Sequence, residues 1–366
     1  MRIAFLFEHP TVSGAEGSGL ELLAHLDRRE FQAAAFAPPG GELAARLAAL
    51  GVPHQPWHAP RGGDAGDARR AALARGAFDV LHANTLHLGR LTGAVTADLG
   101  IPAVAHIREF GTLGARVRAH LCANARLIAV SAALHDDLAA QGIPAEKIRV
   151  IYNGVSPPAA AGGPGIRAEL GLPPGAPLVA WLGQITVRKA PEVFVAAAAE
   201  IARRDAHAHF ALCGDVFGEK EENLRLKAAI AAAAASPPLA GRLHLLGWRT
   251  DARAILGQAT VLAHTARQEP LGRVLIEALA AGTPVAATRV GGTPEVLGSC
   301  GVLFEAGSPP ACANAIAALL ADEGRRAALA RDGRARWDAL FRPERMAAET
   351  CALWREVVAA RTRRKE

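Results

Sequence analysis

The chain has 366 residues, is 51% hydrophobic but only 5% aromatic, and carries a formal net charge of +6 with a pI near 9.4. This length predicts two domains, and so few aromatics predict cores of tightly packed Ala, Leu and Val. Five cysteines without a short spacing (Cys122, Cys213, Cys300, Cys312 and Cys351) argue against a disulfide framework or a zinc site, and for the reduced thiols of a cytoplasmic protein.

Other classes fall away with them. Met1 to Phe7 is too short for the apolar region of a signal peptide, and no apolar run reaches the roughly 18 residues of a membrane helix; Ala228 to Ala235 is merely Ala-rich. The cations are dispersed, with no basic stripe interleaved with aromatics, which argues against nucleic acid as a partner. The positive balance suits an anionic small ligand and a peripheral contact with the inner face of a membrane, while the tail Arg361 to Lys365 reads as a solvated end.

In chain order, Arg2 to Phe7 is an apolar run that predicts a buried strand. The Gly-containing loop Glu8 to Gly19 follows, then a helix over Leu20 to Leu26. A strand, a Gly loop and a helix start permit a phosphate or sugar contact, although a Gly loop alone is usually a turn. Strand and helix signals then alternate: strand Phe31 to Ala37, helix Glu42 to Leu50, strand Val80 to His82, helix Leu88 to Leu99, strand Ala103 to Ile107. Leu127 to Val130 is another strand, Ser131 caps a helix over Ala132 to Gln141, and Arg149 to Ile151 closes the half before the turn Asn153-Gly154. Repeated βα units of this kind give a doubly wound α/β domain. His106 stands at a strand's carboxyl end, where a lone His is more often a structural hydrogen-bonding residue. Arg108 and Glu109 are acceptor contacts or an ion pair with each other, and His9, His82 and His87 have no metal-ligand spacing.

Pro157 to Pro177 is rich in Pro, Gly and Ala, with one short helical piece around Ile166 to Leu170, and reads as an interdomain linker. The second set opens with the strand Leu178 to Leu182, the loop Gly183 to Lys189 and a helix from Pro191. Adjacent Arg188 and Lys189 at a strand-end loop suit a diphosphate, though surface Arg-Lys pairs are common. His209 to Cys213 and Leu243 to Leu246 are further strands, and Gly247 to Asp251 opens a helix. Helices run from Ser308 to Leu340, and an amphipathic helix from Pro343 to Ala360. The division is 1–157, a linker 158–177, 178–341, and a terminal helix 342–366.

The stretch His264 to Leu297 carries the sharpest pattern. A buried strand, Ala259 to Ala263, leads to a loop with Glu269, Pro270 and Gly272, a helix that stops at Gly282 before Pro284, and a strand from Val285. Ligands bind at the carboxyl ends of strands in parallel sheets, so Arg267 to Arg273 lies where a site belongs. The backbone N–H groups of Leu271, Gly272, Arg273 and Val274 are those of a helix start and favour an anion. Glu277, one turn into the helix, suits a ribose diol, and Glu269 a sugar hydroxyl. The plainer reading leaves Glu277 solvated and Glu269 as a charge on the helix dipole.

Glu269 to Glu277, followed by Glu-Ala-Leu-Ala-Ala-Gly-Thr-Pro-Val and Val-Gly-Gly-Thr-Pro-Glu-Val, resembles the signature of retaining glycosyltransferase family 4. The resemblance implies an α/β chain of GT-B architecture, with two Rossmann-like doubly wound domains facing each other across a cleft. It implies a nucleotide-sugar donor, UDP- or GDP-linked, an unidentified hydroxyl acceptor, no cofactor and no metal. It places Gly14 at the donor diphosphate and acceptor, although this chain has Ser13-Gly14 where the family has Gly-Gly. His106 corresponds to a strand-end His that faces the transferred sugar. Lys189 matches the family's Lys in a loop that usually opens Gly-Arg; here Gln184 replaces that Arg and Ala190 replaces a Gly. Lys189 with Arg188 would neutralise the departing diphosphate, helped by the helix start at Gly272, while Glu277 holds ribose and Glu269 the sugar. The nucleobase of the family sits near the loop matching Trp248 to Thr250, and its terminal helix crosses back to the first domain.

The function implied is sugar transfer in cell-surface glycan or glycoconjugate synthesis. Epimerase or phosphorylase activity on the same fold fits the Glu269/Glu277 arrangement less well, and no cofactor lysine is signalled. The alternative from another class is a partner subunit that binds nucleotide-sugar without turnover, a reading kept open by Gln184.

Overall fold

A computed structural model of the chain describes residues 1–57, 77–158 and 165–363. The chain divides into two compact units, Met1–Val155 with Phe341–Glu366, and Ser156–Leu340. Residues 159–164 of the expected linker lie outside the described residues.

The strands of the first unit are β1 (Arg2–Leu6), β2 (Gln32–Ala37), β3 (His54–Pro56), β4 (Val80–Ala83), β5 (Ala103–Ile107), β6 (Arg126–Ala129) and β7 (Ile148–Val150). They form one sheet in the order β3-β2-β1-β4-β5-β6-β7, every pairing parallel. The second unit contributes β8 (Leu178–Leu182), β9 (His209–Cys213), β10 (Leu243–Gly247), β11 (Val261–His264), β12 (Val285–Thr288) and β13 (Val302–Phe304). These pair in parallel in the order β10-β9-β8-β11-β12-β13. The strands read as continuous apolar runs because helices cover both faces of a parallel sheet, so alternation would expose nothing to water. In β5 and β8 every residue is buried.

Each order reverses once, at β1/β4 in the first sheet and at β8/β11 in the second. Loops leaving the carboxyl ends of those strands border the crevice where ligands of doubly wound sheets bind. From β8 comes the loop with Arg188 and Lys189, and from β11 the loop with Glu269.

Most expected elements stand within a residue or two of their predicted ends, and Ser131 caps its helix by accepting from Leu134 N at 3.0 Å. Three expectations need correction. Gly14 to Gly19 is not loop: a helix starts at Gly14 and runs to Ala24. A Cβ on Gly19 would stand 2.6 Å from the Phe7 ring, so that glycine is there for close packing. The elements β3, β13 and the helices Ala115–Ala123, Glu221–Ala234 and Thr293–Leu297 had not been assigned. Nor do Ala, Leu and Val fill the cores alone. The largest fully buried side chains are aromatic, among them Trp181, Trp354, Phe5, Phe7, Phe194 and Phe210. A chain with few aromatics places them where their large apolar area counts most.

The helix Pro343–Arg363 belongs to the first unit, where Met346, Cys351, Leu353, Trp354 and Val357 join the core of Ile3, Phe5 and Leu22. Trp354 packs against Phe31, with ring centroids 5.7 Å apart, and its Nε1–H donates to His82 Nδ1 at 3.2 Å.

Candidate active site

The second unit concentrates its buried charge around one helix start. Gly272 is the N-cap of the helix Arg273–Ala281, with φ +95°. A residue with a side chain is strained in that backbone region, and a Cβ here would stand 2.6 Å from Leu275 Cδ1 and 3.3 Å from Glu269 Cγ. Leu275 N donates to Gly272 O at 2.9 Å as the first bond of the helix, so the backbone from Leu271 to Val274 forms its open end. The pair Gly291-Gly292 supports this loop from behind. Gly292 N donates to Glu269 O at 3.0 Å, and a Cβ on Gly292 would lie 2.3 Å from Pro270 O. The Val-Gly-Gly-Thr-Pro motif therefore clamps the loop that carries Glu269.

The loop after β8 docks on the same segment. Arg267 N donates to Arg188 O at 2.8 Å, and Arg188 Nη1 returns a bond to Gln268 O at 3.1 Å. Trp181 Nε1 donates to Thr265 Oγ1 at 3.0 Å, and that hydroxyl in turn lies 2.8 Å from Ala190 O. Ala190 is buried in the left-handed region, φ +48°, at the very position where the resembling family has Gly. The alanine holds the backbone geometry that a glycine would adopt without strain.

Docking these loops joins two residues that sequence had assigned to different parts of a ligand. Lys189 Nζ forms an ion pair with Glu269 Oε2, and His264 Nε2 lies 3.1 Å from the same oxygen. Burial pushes the Glu269 carboxyl up, but Lys189, the His264 hydrogen bond and Arg188 outweigh it and hold the group well below the carboxylate range. Burial likewise holds the His264 ring neutral against the pull of Glu269. Glu277 is flanked on its Oε1 by Arg253 Nε at 3.5 Å and Arg273 Nε at 3.4 Å. The carboxylate expected for a ribose is thus oriented by two guanidinium groups, one from the same helix and one from the helix Ala252–Leu256.

The first unit holds a second cluster at the ends of β4 and β5. Arg108 donates to Asn84 O at 3.2 Å, to Asn84 Oδ1 and His106 Nδ1 at 3.0 Å each, and to Asn153 Oδ1. Its guanidinium is built into this unit's network, and Glu109 beside it is exposed. Because His106 Nδ1 accepts, its proton sits on Nε2, and that nitrogen is buried without a partner. His82 repeats the pattern: Nδ1 accepts from Trp354 and Nε2 is unpartnered. Burial lowers the His82 ring to about 3 and the His106 ring well below the ordinary range, with Arg108 adding to both. Gly14 starts its helix with open space around the position a Cβ would take.

Of these residues the sequence singles out Lys189, Glu269, Glu277 and His106, and Arg273 for its backbone N–H alone; the Arg273 guanidinium on Glu277, His264 and Arg253 are not among its expectations. His264 ends an apolar strand as His106 does, a signal that was there to be used; Arg253 gave none. Among the described residues no group of three or more His, Cys, Asp or Glu is placed to hold a metal ion, and no helix is long and apolar enough to cross a membrane. The cysteines are free thiols, and burial pushes Cys213 up to about 11 and Cys312 to about 12, which leaves neither a ready nucleophile.

Comparison with known proteins covers both units. Residues 12–157 match the family described as Glycosyltransferase Family 4, and residues 176–322 the one described as Glycosyl transferases group 1. The D-inositol 3-phosphate glycosyltransferase of Nocardia farcinica is 37% identical over 163 residues, 43% of this chain and 36% of that protein. The lipopolysaccharide core biosynthesis glycosyltransferase LpsE of Rhizobium meliloti is 32% identical over 169 residues, 46% of each chain. The match spans less than half the length of both relatives. Anabaena HepE, solved with UDP and glucose, superposes with a TM-score of 0.83 over 96% of this chain and 99% of its own, at 22% identity, a likeness of fold alone.

Proposed function

Because the chain belongs to the GT-B glycosyltransferases of family 4, we propose that it moves a sugar from a nucleotide-sugar to an acceptor hydroxyl with retention of configuration. One observation carries the reading: two carboxylates eight residues apart, each oriented by cations, bracket a helix start at the switch point of the second sheet. The backbone from Leu271 to Val274 and the Arg188 guanidinium suit a diphosphate. Glu277 suits the ribose diol, and Glu269 a sugar hydroxyl. In the step, the bond between the sugar's anomeric carbon and the phosphate oxygen breaks as a bond to the acceptor oxygen forms on the same face. The acceptor proton passes to the departing phosphate. Arg188, Lys189 and the helix start stabilise the charge growing on that phosphate, so the reaction needs no metal on this reading. In the first unit, the unpartnered Nε2–H of His106 is a donor for a ligand hydroxyl.

HepE, named with UDP and glucose, supports a uridine donor, and the name of LpsE supports a glycan or glycoconjugate acceptor. We place the work on the cytoplasmic side, with the net charge of +6 suited to an anionic membrane surface. The test is thermal unfolding of the chain and of Glu277→Ala with UDP, GDP, ADP and their sugars. A ligand at a hundredfold excess over its dissociation constant adds about 2.7 kcal/mol. Stabilisation by one base, lost in the variant, is expected; none with any nucleotide would sink the reading. Gln184, where the family has Arg, favours a second reading in which nucleotide-sugar binds without turnover. Turnover by the isolated chain excludes it.

A further inference from the structure

We infer that His264 is a positioning residue for Glu269: its Nε2–H holds one carboxylate oxygen so that the other stays turned to the ligand. The inference rests on the donor-binding reading above. His264 closes β11 at the switch point, and its side chain is 3% exposed. A carboxylate only accepts, so the nitrogen 3.1 Å from Glu269 Oε2 carries the proton, and Nδ1 is left buried and unpartnered. Lys189 reaches the same oxygen. Both side-chain donors to Glu269 among the described residues therefore fall on Oε2 and neither on Oε1.

The two donors are not equivalent. An ammonium on a four-carbon stem follows either oxygen, whereas an imidazole fixed at a strand end does not. The ring thus chooses the oxygen, and Lys189 supplies the charge. Because the ring is neutral, it adds a donor without competing with Lys189 and Arg188 for the same carboxylate. The loop backbone does not need the imidazole, since Thr265 already ties it to Trp181 and Ala190. What His264 adds is the orientation of Glu269.

The experiment compares His264→Leu, His264→Asn and His264→Gln with the unaltered chain by titration calorimetry. The probes are UDP and UDP-glucose, GDP and GDP-mannose, and ADP and ADP-glucose. The glutamine amide nitrogen reaches the place of Nε2; the asparagine one does not. The Leu and Asn variants should lose about tenfold in affinity for the nucleotide-sugar, the size of one hydrogen bond to a charged group, with the nucleoside diphosphate unchanged. The Gln variant should recover most of it. Equal binding by Leu and unaltered chains, or equal loss for both ligands, overturns the inference while donor binding stands. If the unaltered chain binds no probe, the donor reading fails by itself. Orientation of Glu269 is then read without ligand, from the ¹³C titration of its carboxyl. A midpoint raised in the Leu variant and restored in the Gln variant supports the role, and an unchanged midpoint overturns it.

Discussion

The two strand-end clusters are made of the same material, a buried histidine beside a long cation, yet they reach opposite states. In the second unit, Lys189 and His264 converge on Glu269, whose charge returns much of what their burial costs. In the first unit, Arg108 is held by the amide oxygens of Asn84 and Asn153 and by His106, and two imidazole N–H groups are left without acceptors. Each unpaired donor costs roughly 1–3 kcal/mol when buried. The comparison separates a cluster whose cation is paired with a carboxylate of its own unit from one whose cation is held by neutral oxygens and whose two imidazole N–H groups have no acceptor.

Breaking the charge-paired side should have the largest effect. Glu269→Ala strands Lys189 and removes the acceptor of His264, and should destabilise the chain by about 3–5 kcal/mol in urea unfolding. A cost below about 1 kcal/mol would mean that the pair is solvated and the contrast false. On the open side, His106→Phe keeps a ring of similar size and loses the free N–H. Turnover of the nucleotide-sugar should fall about a hundredfold, the lower end for a group acting on the reacting hydroxyl, while the loss of an acceptor for Arg108 costs about 1 kcal/mol of stability. Unchanged turnover by the folded variant would make His106 structural.

The third prediction sharpens the contrast through pH. The His82 ring titrates near 3 in the fold against 6.5 for an ordinary histidine. Between those values the unfolded chain binds the additional proton, so this contribution is complete above pH 6.5 and is lost as pH falls through the window. Moving from about pH 7 to about pH 5 should cost about 2 kcal/mol from this group. His82→Phe should flatten the slope by that amount, measured as urea unfolding at both pH values, although loss of the Trp354 bond lowers stability at each. The smallest effect is expected for Ala190→Gly. Relief of the left-handed backbone and loss of a buried methyl nearly cancel, leaving unfolding stability within about 0.5 kcal/mol of the parent chain.

The sheets were legible because strands buried on both faces are short apolar runs punctuated by Gly and Pro, as Leu178–Leu182 is. The start of the helix at Gly14 was not, since three glycines in six residues read as a turn until the Phe7 ring is known to lie against Gly19. At the site, Glu269, Glu277 and Lys189 could be named from local pattern. Their pairing could not, because Lys189 and Glu269 are 80 positions apart and meet only once β8 and β11 are neighbours. Arg253 reaches Glu277 from a different helix, Ala252–Leu256, which local pattern does not place beside Arg273–Ala281. Local sequence states which chemistry is present, and strand order states which groups share it.

The helix Pro343–Arg363 has a consequence for assembly. Trp354 and its partner His82 are 272 positions apart, with the whole second unit between them. A chain made from its amino end completes β1 to β7 while Phe31 and His82 still lack their cover. Closing so long a loop costs entropy that grows only with the logarithm of its length. Folding of Ser156–Leu340 does most of the closing, since Val155 N donates to Phe341 O at 3.0 Å across the two ends. The unit that begins first is therefore the one that finishes last, and it waits on its neighbour's folding to be sealed.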